Sequence, residues 1–227
     1  MHNELDAPIA KPRVFIDYDR TLFDTEKFGN ELLPVIATIA KISVEDVTAK
    51  VKQAKISEKY GGFDLDTLIS DLKIDATDTY DAIETLLSGN DFLLPGAAEF
   101  IQDLQALECE PEILTFGHEE FQELKVSTYL HELQKDPNKP PIKYHITQEP
   151  KSEFIHQLAV QENAFGILLD DVDEQGLPQT FDEIHYAPSE HLLAILPTDH
   201  GYQVSTYPQA LEAITLSLDS LSRTVEN

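Results

Sequence analysis

Two spacings of apolar residues alternate along the chain and divide it into three stretches. Val14, Phe15 and Ile16 form a continuous β-branched and aromatic run, the pattern of a strand buried on both faces of a parallel sheet. After Asp24 the spacing becomes helical and stays so for about seventy residues. A helix is expected over 26–40, divided or kinked at Pro34. Ser43, three residues before Asp46, marks the N-cap of a second helix reaching residue 54. Tyr60-Gly61-Gly62-Phe63 reads as a turn, and two short amphipathic helices follow, carrying Leu65, Leu68, Ile69 and Leu72 and then Ile83, Leu86 and Leu87.

From Pro95 strands and helices alternate. Helices are expected over 96–107, 119–133 and 152–161, and strands over 111–116, 142–146 and 165–169. Beyond Asp173 the pattern weakens to strands within 192–196 and near 202–205, before a last helix from Pro208 with Leu211, Ile214, Leu218 and Leu221 on one face. The alternation predicts an α/β fold with a Rossmann-like, doubly wound parallel sheet. The helical stretch, 25–93, reads as a small all-helical domain inserted after the first strand of a core made of 1–24 and 94–227.

Composition narrows the function classes. The 227 residues are 41% hydrophobic, enough for a substantial core, and 42 acidic against 16 basic residues give a net charge of -26. Nucleic acid and anionic membrane surfaces would be repelled, so neither is an expected partner. The acidity otherwise reads as a well-solvated surface. Cys109 is the only cysteine, which excludes an intrachain disulfide, and with no base beside it the thiol reads as a core residue. The opening residues lack a basic start and an apolar stretch, so no signal peptide is expected, and the apolar runs fall far short of the ~20 residues that span a bilayer. The expectation is a soluble, cytoplasmic protein.

Candidate chemistry sits at strand ends. Asp17, Asp19 and Thr21 occupy alternate positions after the first apolar run, and ligands of open α/β sheets collect outside the C-terminal strand ends. Two carboxylates so close call for a cation, and a hard, oxygen-seeking ion such as Mg²⁺ suits them. Alone this pattern also fits a turn, a helix cap or the metal site of a sugar-nucleotide transferase. Two more strand ends agree with it: Thr115 with Phe116 and Gly117 after one apolar run, and the Asp170-Asp171 pair after another. Lys151 lies between them at the start of an expected helix, where amides and dipole favour an anion.

These pieces, in this order, resemble the haloacid dehalogenase superfamily, whose signature is DxDxT, then Ser or Thr, then Lys, then paired acids. The resemblance covers about 12–24 and 95–175, and the helical insert matches a cap placed after the first strand. It implies a Mg²⁺-dependent phosphatase acting on a small phosphorylated metabolite. Asp17 would be the nucleophile and Asp19 the general acid/base, an acid that carbon-halogen-cleaving members generally lack. Thr115 and Lys151 would bind the phosphoryl group, with backbone amides at Phe116 and Gly117. Asp17, the Asp19 carbonyl, Asp171 and, at one remove, Asp170 would hold the metal. A phosphotransferase or mutase would use the same residues, and an idle binding member is a third reading.

Departures from the family pattern are specific. Arg20 stands where many members have Gly and is expected to be a partly exposed structural residue. Lys125 rivals Lys151, but an exposed helical lysine is the usual outcome, so Lys151 is preferred. Thr21 should brace the turn, His118 should sit in a first helical turn, and Asp173 and Glu174 should be solvated. The 59–63 segment is a candidate substrate contact.

Overall fold

In the computed structural model the described residues are 12–57, 61–107, 110–162, 165–171, 177, 181–186, 196–198 and 201–225. Cys109, Asp173 and Glu174 lie outside them. The first part of the chain gives β1 (Arg13–Ile16), α1 (Thr25–Ala40), α2 (Val44–Val51), β2 (Lys55–Ser57), β3 (Gly61–Phe63), α3 (Leu65–Leu72) and α4 (Ala76–Ser88). Then come α5 (Ala97–Ala106), β4 (Glu110–Phe116), α6 (Glu119–Leu133), β5 (Lys143–Thr147), α7 (Lys151–Glu162) and β6 (Gly166–Asp170). The last elements are β7 (Phe181–Tyr186), β8 (Leu196–Thr198), β9 (Gly201–Val204) and α8 (Tyr207–Val225).

Seven strands form one sheet in the order β5-β4-β1-β6-β7-β9-β8, parallel throughout except for β8 at its edge. β1 lies between β4 and β6, and its alternating side chains divide between two cores. Val14 and Ile16 pack with residues of α5, α6 and α8 such as Ile101, Val126 and Ile214, whereas Phe15 meets Leu114, Ile155 and Leu168 on the α7 side. A strand so covered must be apolar at every position, which is why this stretch reads as a run and not an alternation.

β7 is the strand that periodicity does not reveal. Its sequence, Phe-Asp-Glu-Ile-His-Tyr, buries Glu183 together with Phe181, Ile184 and Tyr186, so charge masks a central position.

Between β1 and α5 the chain builds a separate helical layer, in which α1 packs on α2 and α4, α2 on α3, and α3 on α4. It is not purely helical, because β2 and β3 pair as an antiparallel hairpin. Gly61–Phe63 of the expected turn therefore form a strand, Tyr60 lying outside the described residues, and α2 stops at Val51 instead of reaching residue 54. Pro34 does not divide α1, which runs unbroken. Caps follow the local chemistry: the side chains of Asp24, Ser43, Asp64 and Asp75 each accept a bond from the backbone N–H three residues on. The two chain crossings into this layer run side by side, Asp24 N–H donating to the Phe92 carbonyl at 2.7 Å and Leu94 N–H to that of Leu22 at 2.8 Å. No helix among the described residues is long and apolar enough to cross a membrane.

Candidate active site

The chain leaves β1 at Ile16, and the Asp17 N–H donates to the Leu169 carbonyl of β6 at 2.8 Å. This bond fixes Asp17 at the C-terminal edge of the sheet, with β4 on one side and β6 on the other. Lys151, the first residue of α7, is buried beneath it and donates to Asp17 Oδ1 and to Asp170 Oδ2, each at 2.6 Å. Asp171 stands beside them, and oxygens of Asp17, Asp170 and Asp171 lie within 4.8 Å of one another. Asp17 Oδ2 is buried without a hydrogen-bond partner among the described residues.

Charge in this cluster is unbalanced. Burial pushes the Asp17 carboxyl up, Lys151 opposes it, Asp170 adds to it, and the group comes to rest at about 7. Asp171 is also raised, by burial and then by Asp17, against the pull of Arg20. Arg20 Nε pairs with Asp171 at 2.8 Å while its side chain stays 62% exposed. Its backbone takes the left-handed conformation at φ 63°, where a glycine would be at ease and a side chain costs roughly 1–2 kcal/mol. Arg20 is thus exposed, as expected, with the ion pair to Asp171 in addition.

Asp19 has more donors around it than any motif suggests. Its Oδ1 accepts from Thr25 Oγ1 at 2.6 Å and Lys125 Nζ at 2.5 Å, and its Oδ2 accepts from Gln122 Nε2 at 2.9 Å. Burial alone would raise this carboxyl, but the Lys125 charge and the three bonds outweigh it and hold it below the ordinary aspartate value. The expectation of an exposed Lys125 is therefore corrected. Lys125 is buried, its ammonium lies 4.9 Å from the Phe23 ring centre and 5.3 Å from that of Phe121, and its charge is answered by Asp19. A signal for this was present: Gln122 and Lys125 are three residues apart on the α6 face that also carries Phe121, Val126 and Tyr129.

The Thr115 group divides. Thr115 is fully buried at the end of β4 with no hydrogen-bond partner for Oγ1 among the described residues. Phe116 lines the cavity above. The Gly117 amide is not available to a ligand, because it donates to the Thr147 carbonyl at 2.9 Å. What Gly117 supplies instead is room: a Cβ there would fall 2.5 Å from Gln122 Nε2, the group that reaches Asp19. Thr21 is fully buried beneath the turn, but its Oγ1 has no hydrogen-bond partner among the described residues, so the expected hydroxyl brace is not formed; its carbonyl accepts from the Tyr207 hydroxyl at 2.7 Å. His118 precedes α6 and faces Asp66 of α3 at 3.4 Å.

Above these groups opens a cavity of about 1230 Å³ between the sheet edge and the helical layer. Asp17, Asp19, Lys125, Lys151 and Asp171 line its floor, and α1, α2, α3, Gly62 and Phe63 line its far side. Gly62 and Phe63 belong to the 59–63 segment considered above as a substrate contact.

A parallel sheet that aims an acidic strand end, a buried lysine and paired acids at one cavity, with helices inserted after its first strand, is the haloacid dehalogenase-like fold. Solved structures bear this out. The chain superposes on a haloacid dehalogenase-like family hydrolase of Xanthomonas campestris with a TM-score of 0.59, at 14% identity, covering 94% of this chain and 99% of that one. A HAD phosphatase of Thermococcus onnurineus gives 0.64 at 12% identity over 88% and 96%. The HAD-hydrolase YfnB of Bacillus subtilis, solved bound to magnesium, gives 0.57 at 16% over 90% and 99%. No family sequence model matches the chain, and no curated protein matches it by sequence.

Proposed function

We propose that the protein is a Mg²⁺-dependent phosphatase of the haloacid dehalogenase type, hydrolysing a small phosphate monoester through a phosphoryl group carried on Asp17. The observation that carries this reading is the state of Asp17: one carboxylate oxygen tied to Lys151, the other buried and unpartnered, at the floor of a cavity that Asp19 also lines. In this reading residues 25–93 form a cap over a core of 1–24 and 94–227.

The donor set fits a hard divalent ion. Asp17, Asp170 and Asp171 crowd three carboxylates together beside a single buried lysine, an all-oxygen, negatively charged donor set of the kind such an ion takes. Mg²⁺ there would offset the charge of the carboxylates and of an incoming phosphate.

The protein's own groups supply the rest. Asp17 Oδ2 attacks phosphorus while Lys151 holds Oδ1 in place, and the bond to the leaving oxygen breaks. Asp19 in its acid form gives that oxygen a proton, and as a carboxylate takes one from the water that cleaves the Asp17–phosphoryl bond. The donors Thr25, Gln122 and Lys125 fix its orientation and favour the carboxylate form. Thr115 Oγ1, with no partner of its own, would donate to a phosphate oxygen. The net charge of -26 supports a small-molecule substrate over nucleic acid or an anionic membrane.

The test is hydrolysis of an aryl phosphate with and without Mg²⁺. The wild type should turn over only with the metal, and Asp17→Asn should lose at least about 10³-fold in kcat while keeping its fold. Equal turnover by the two proteins would remove Asp17 from the nucleophile role.

A further inference from the structure

The cavity is much larger than a phosphoryl group needs, and its two ends differ in kind. Its floor is charged. Its far side is largely apolar, made of Phe28, Leu32 and Ile36 of α1, Val51 of α2, Leu68 of α3 and Phe121 of α6, with Glu26 of α1 also in the lining. Leu33 and Phe63 extend the same surface.

Gly29, within α1 on this wall, has open space where a Cβ would stand: no atom comes within 4 Å of that position. A glycine inside a helix costs roughly 0.5–1 kcal/mol relative to alanine, and here no close neighbour requires it. The space it leaves is cavity.

Charge then limits what can fill that space. Among the described residues lining the cavity, the bases are Arg20, Lys125 and Lys151, and the acids are Asp17, Asp19, Glu26, Glu153 and Asp171. Each base is already bound to a carboxylate of the floor: Arg20 to Asp171, Lys125 to Asp19, and Lys151 to Asp17 and Asp170. A second anionic group on the substrate would meet excess acid and no uncommitted base. A hydroxyl-rich leaving group would strand its hydroxyls against leucine and phenylalanine, a penalty of roughly 1–3 kcal/mol for each unpaired group.

We infer that the substrate is a phosphate monoester whose leaving group is uncharged and largely apolar, aryl or branched alkyl, seated between α1, α3 and Phe121 with Gly29 leaving room for it. This builds on the phosphatase reading and moves the substrate class away from sugar phosphates and nucleotides.

Binding decides it separately from turnover. In saturating Mg²⁺, calorimetry would compare three non-hydrolysable ligands on the wild type: naphthylmethylphosphonate, methylphosphonate and the phosphonate analogue of glucose 6-phosphate. The naphthyl compound should bind about 50-fold or more tighter than either of the others. Gly29→Ala and Gly29→Leu fill the space in steps, and the naphthyl-to-methyl affinity ratio should fall in the order wild type, Ala, Leu. Thermal unfolding should not fall, since both residues favour a helix over glycine. Equal affinity for naphthyl and methyl phosphonates, tighter binding of the sugar analogue, or a ratio indifferent to residue 29 would each overturn the inference. With aryl phosphate still hydrolysed, such a result leaves the phosphatase reading intact. Preferential naphthyl binding without any hydrolysis would instead remove the phosphatase reading and keep the apolar subsite.

Discussion

Two ionic clusters stand at opposite ends of β1, one shared with β4 and β5 and the other with β6 and α7, and they are built to opposite purposes. Near the N-terminal end of the sheet, Glu112 of β4 receives two 2.7 Å bonds from Arg13 of β1 and lies 2.5 Å from His145 Nε2 of β5. Arg13 also reaches Glu162 at 2.7 Å. Burial alone would raise the Glu112 carboxyl, yet the hydrogen bond with His145 and the paired bonds from Arg13 prevail and hold it at about 2. At the C-terminal end, Asp17 is drawn the other way, to about 7. Each carboxylate pairs with a cation, Glu112 with the half-buried Arg13 and Asp17 with the buried Lys151. The difference is stoichiometry: one acid shared by an arginine and a histidine at the first end, three crowded acids around Lys151 and Arg20 at the second. A cluster that satisfies itself holds a fold together, and one left short of positive charge is open to a cation and a phosphate.

Lys151→Met should show the largest effect of any change that separates the two clusters. It strands Asp17 and Asp170 with no buried cation between them, so turnover should fall by about 10³-fold, some 4 kcal/mol. Stability of the metal-free protein should fall as well, by about 3 kcal/mol. Added Mg²⁺ should restore part of the stability and little of the rate. Kinetics together with thermal melts in EDTA and in Mg²⁺ would read this, and an unchanged rate would mean that Lys151 serves only the fold.

Glu112→Gln carries the mirror expectation. Removing the acid leaves the buried ends of Arg13 and His145 underpaired, at a cost of about 3 kcal/mol in urea unfolding near pH 7. Activity per folded molecule should be retained, since Glu112 is outside the cavity. The pH dependence follows from the direction of the shift. The Glu112 pKa is lower in the folded chain than in the unfolded one, so its contribution is complete above about 4.5 and is lost as pH falls toward about 2. The stability gap between wild type and Glu112→Gln should close over that window. A gap constant from pH 7 to pH 2.5 would show that packing, and not ionisation, sets the loss.

How far each cluster can be read from the sequence differs in the same sense. The C-terminal one was legible because two apolar runs end in acids and Lys151 opens a helix between them, an order that carries meaning where each acid alone would also fit a turn or a cap. Asp17, Lys151 and the Asp170-Asp171 pair converge as that pattern implies. The Arg13–Glu112–His145 cluster gave no such sign, because its residues are polar positions at the start of one strand and within two others, far apart in sequence. β7 was hidden for a related reason, Glu183 being buried where alternation would place an apolar residue. The β2–β3 hairpin escaped notice because strands of three residues carry too little periodicity to compete with the helices around them. Gly117 was visible as a glycine but not for its use, since only the folded chain shows Gln122 occupying the place of its side chain.

Lys125 belongs to neither pattern and gives the finest test of the comparison. Its ammonium completes the environment of Asp19, yet it stands among Phe23, Phe121 and Tyr18. Methionine, of similar length and compatible with aromatic rings, should fit the same space, and Asp19 would keep Thr25 and Gln122 as donors. Lys125→Met should therefore change stability by no more than about 1 kcal/mol. The catalytic cost should be small but directional. With the Lys125 charge gone, burial pushes Asp19 upward and its protonated form gains. The rise of kcat with pH should then shift to higher pH, with KM little affected, and Lys125→Arg should recover part of the original profile. A profile identical to the wild type would place Lys125 with Arg13, as a cation that serves packing alone.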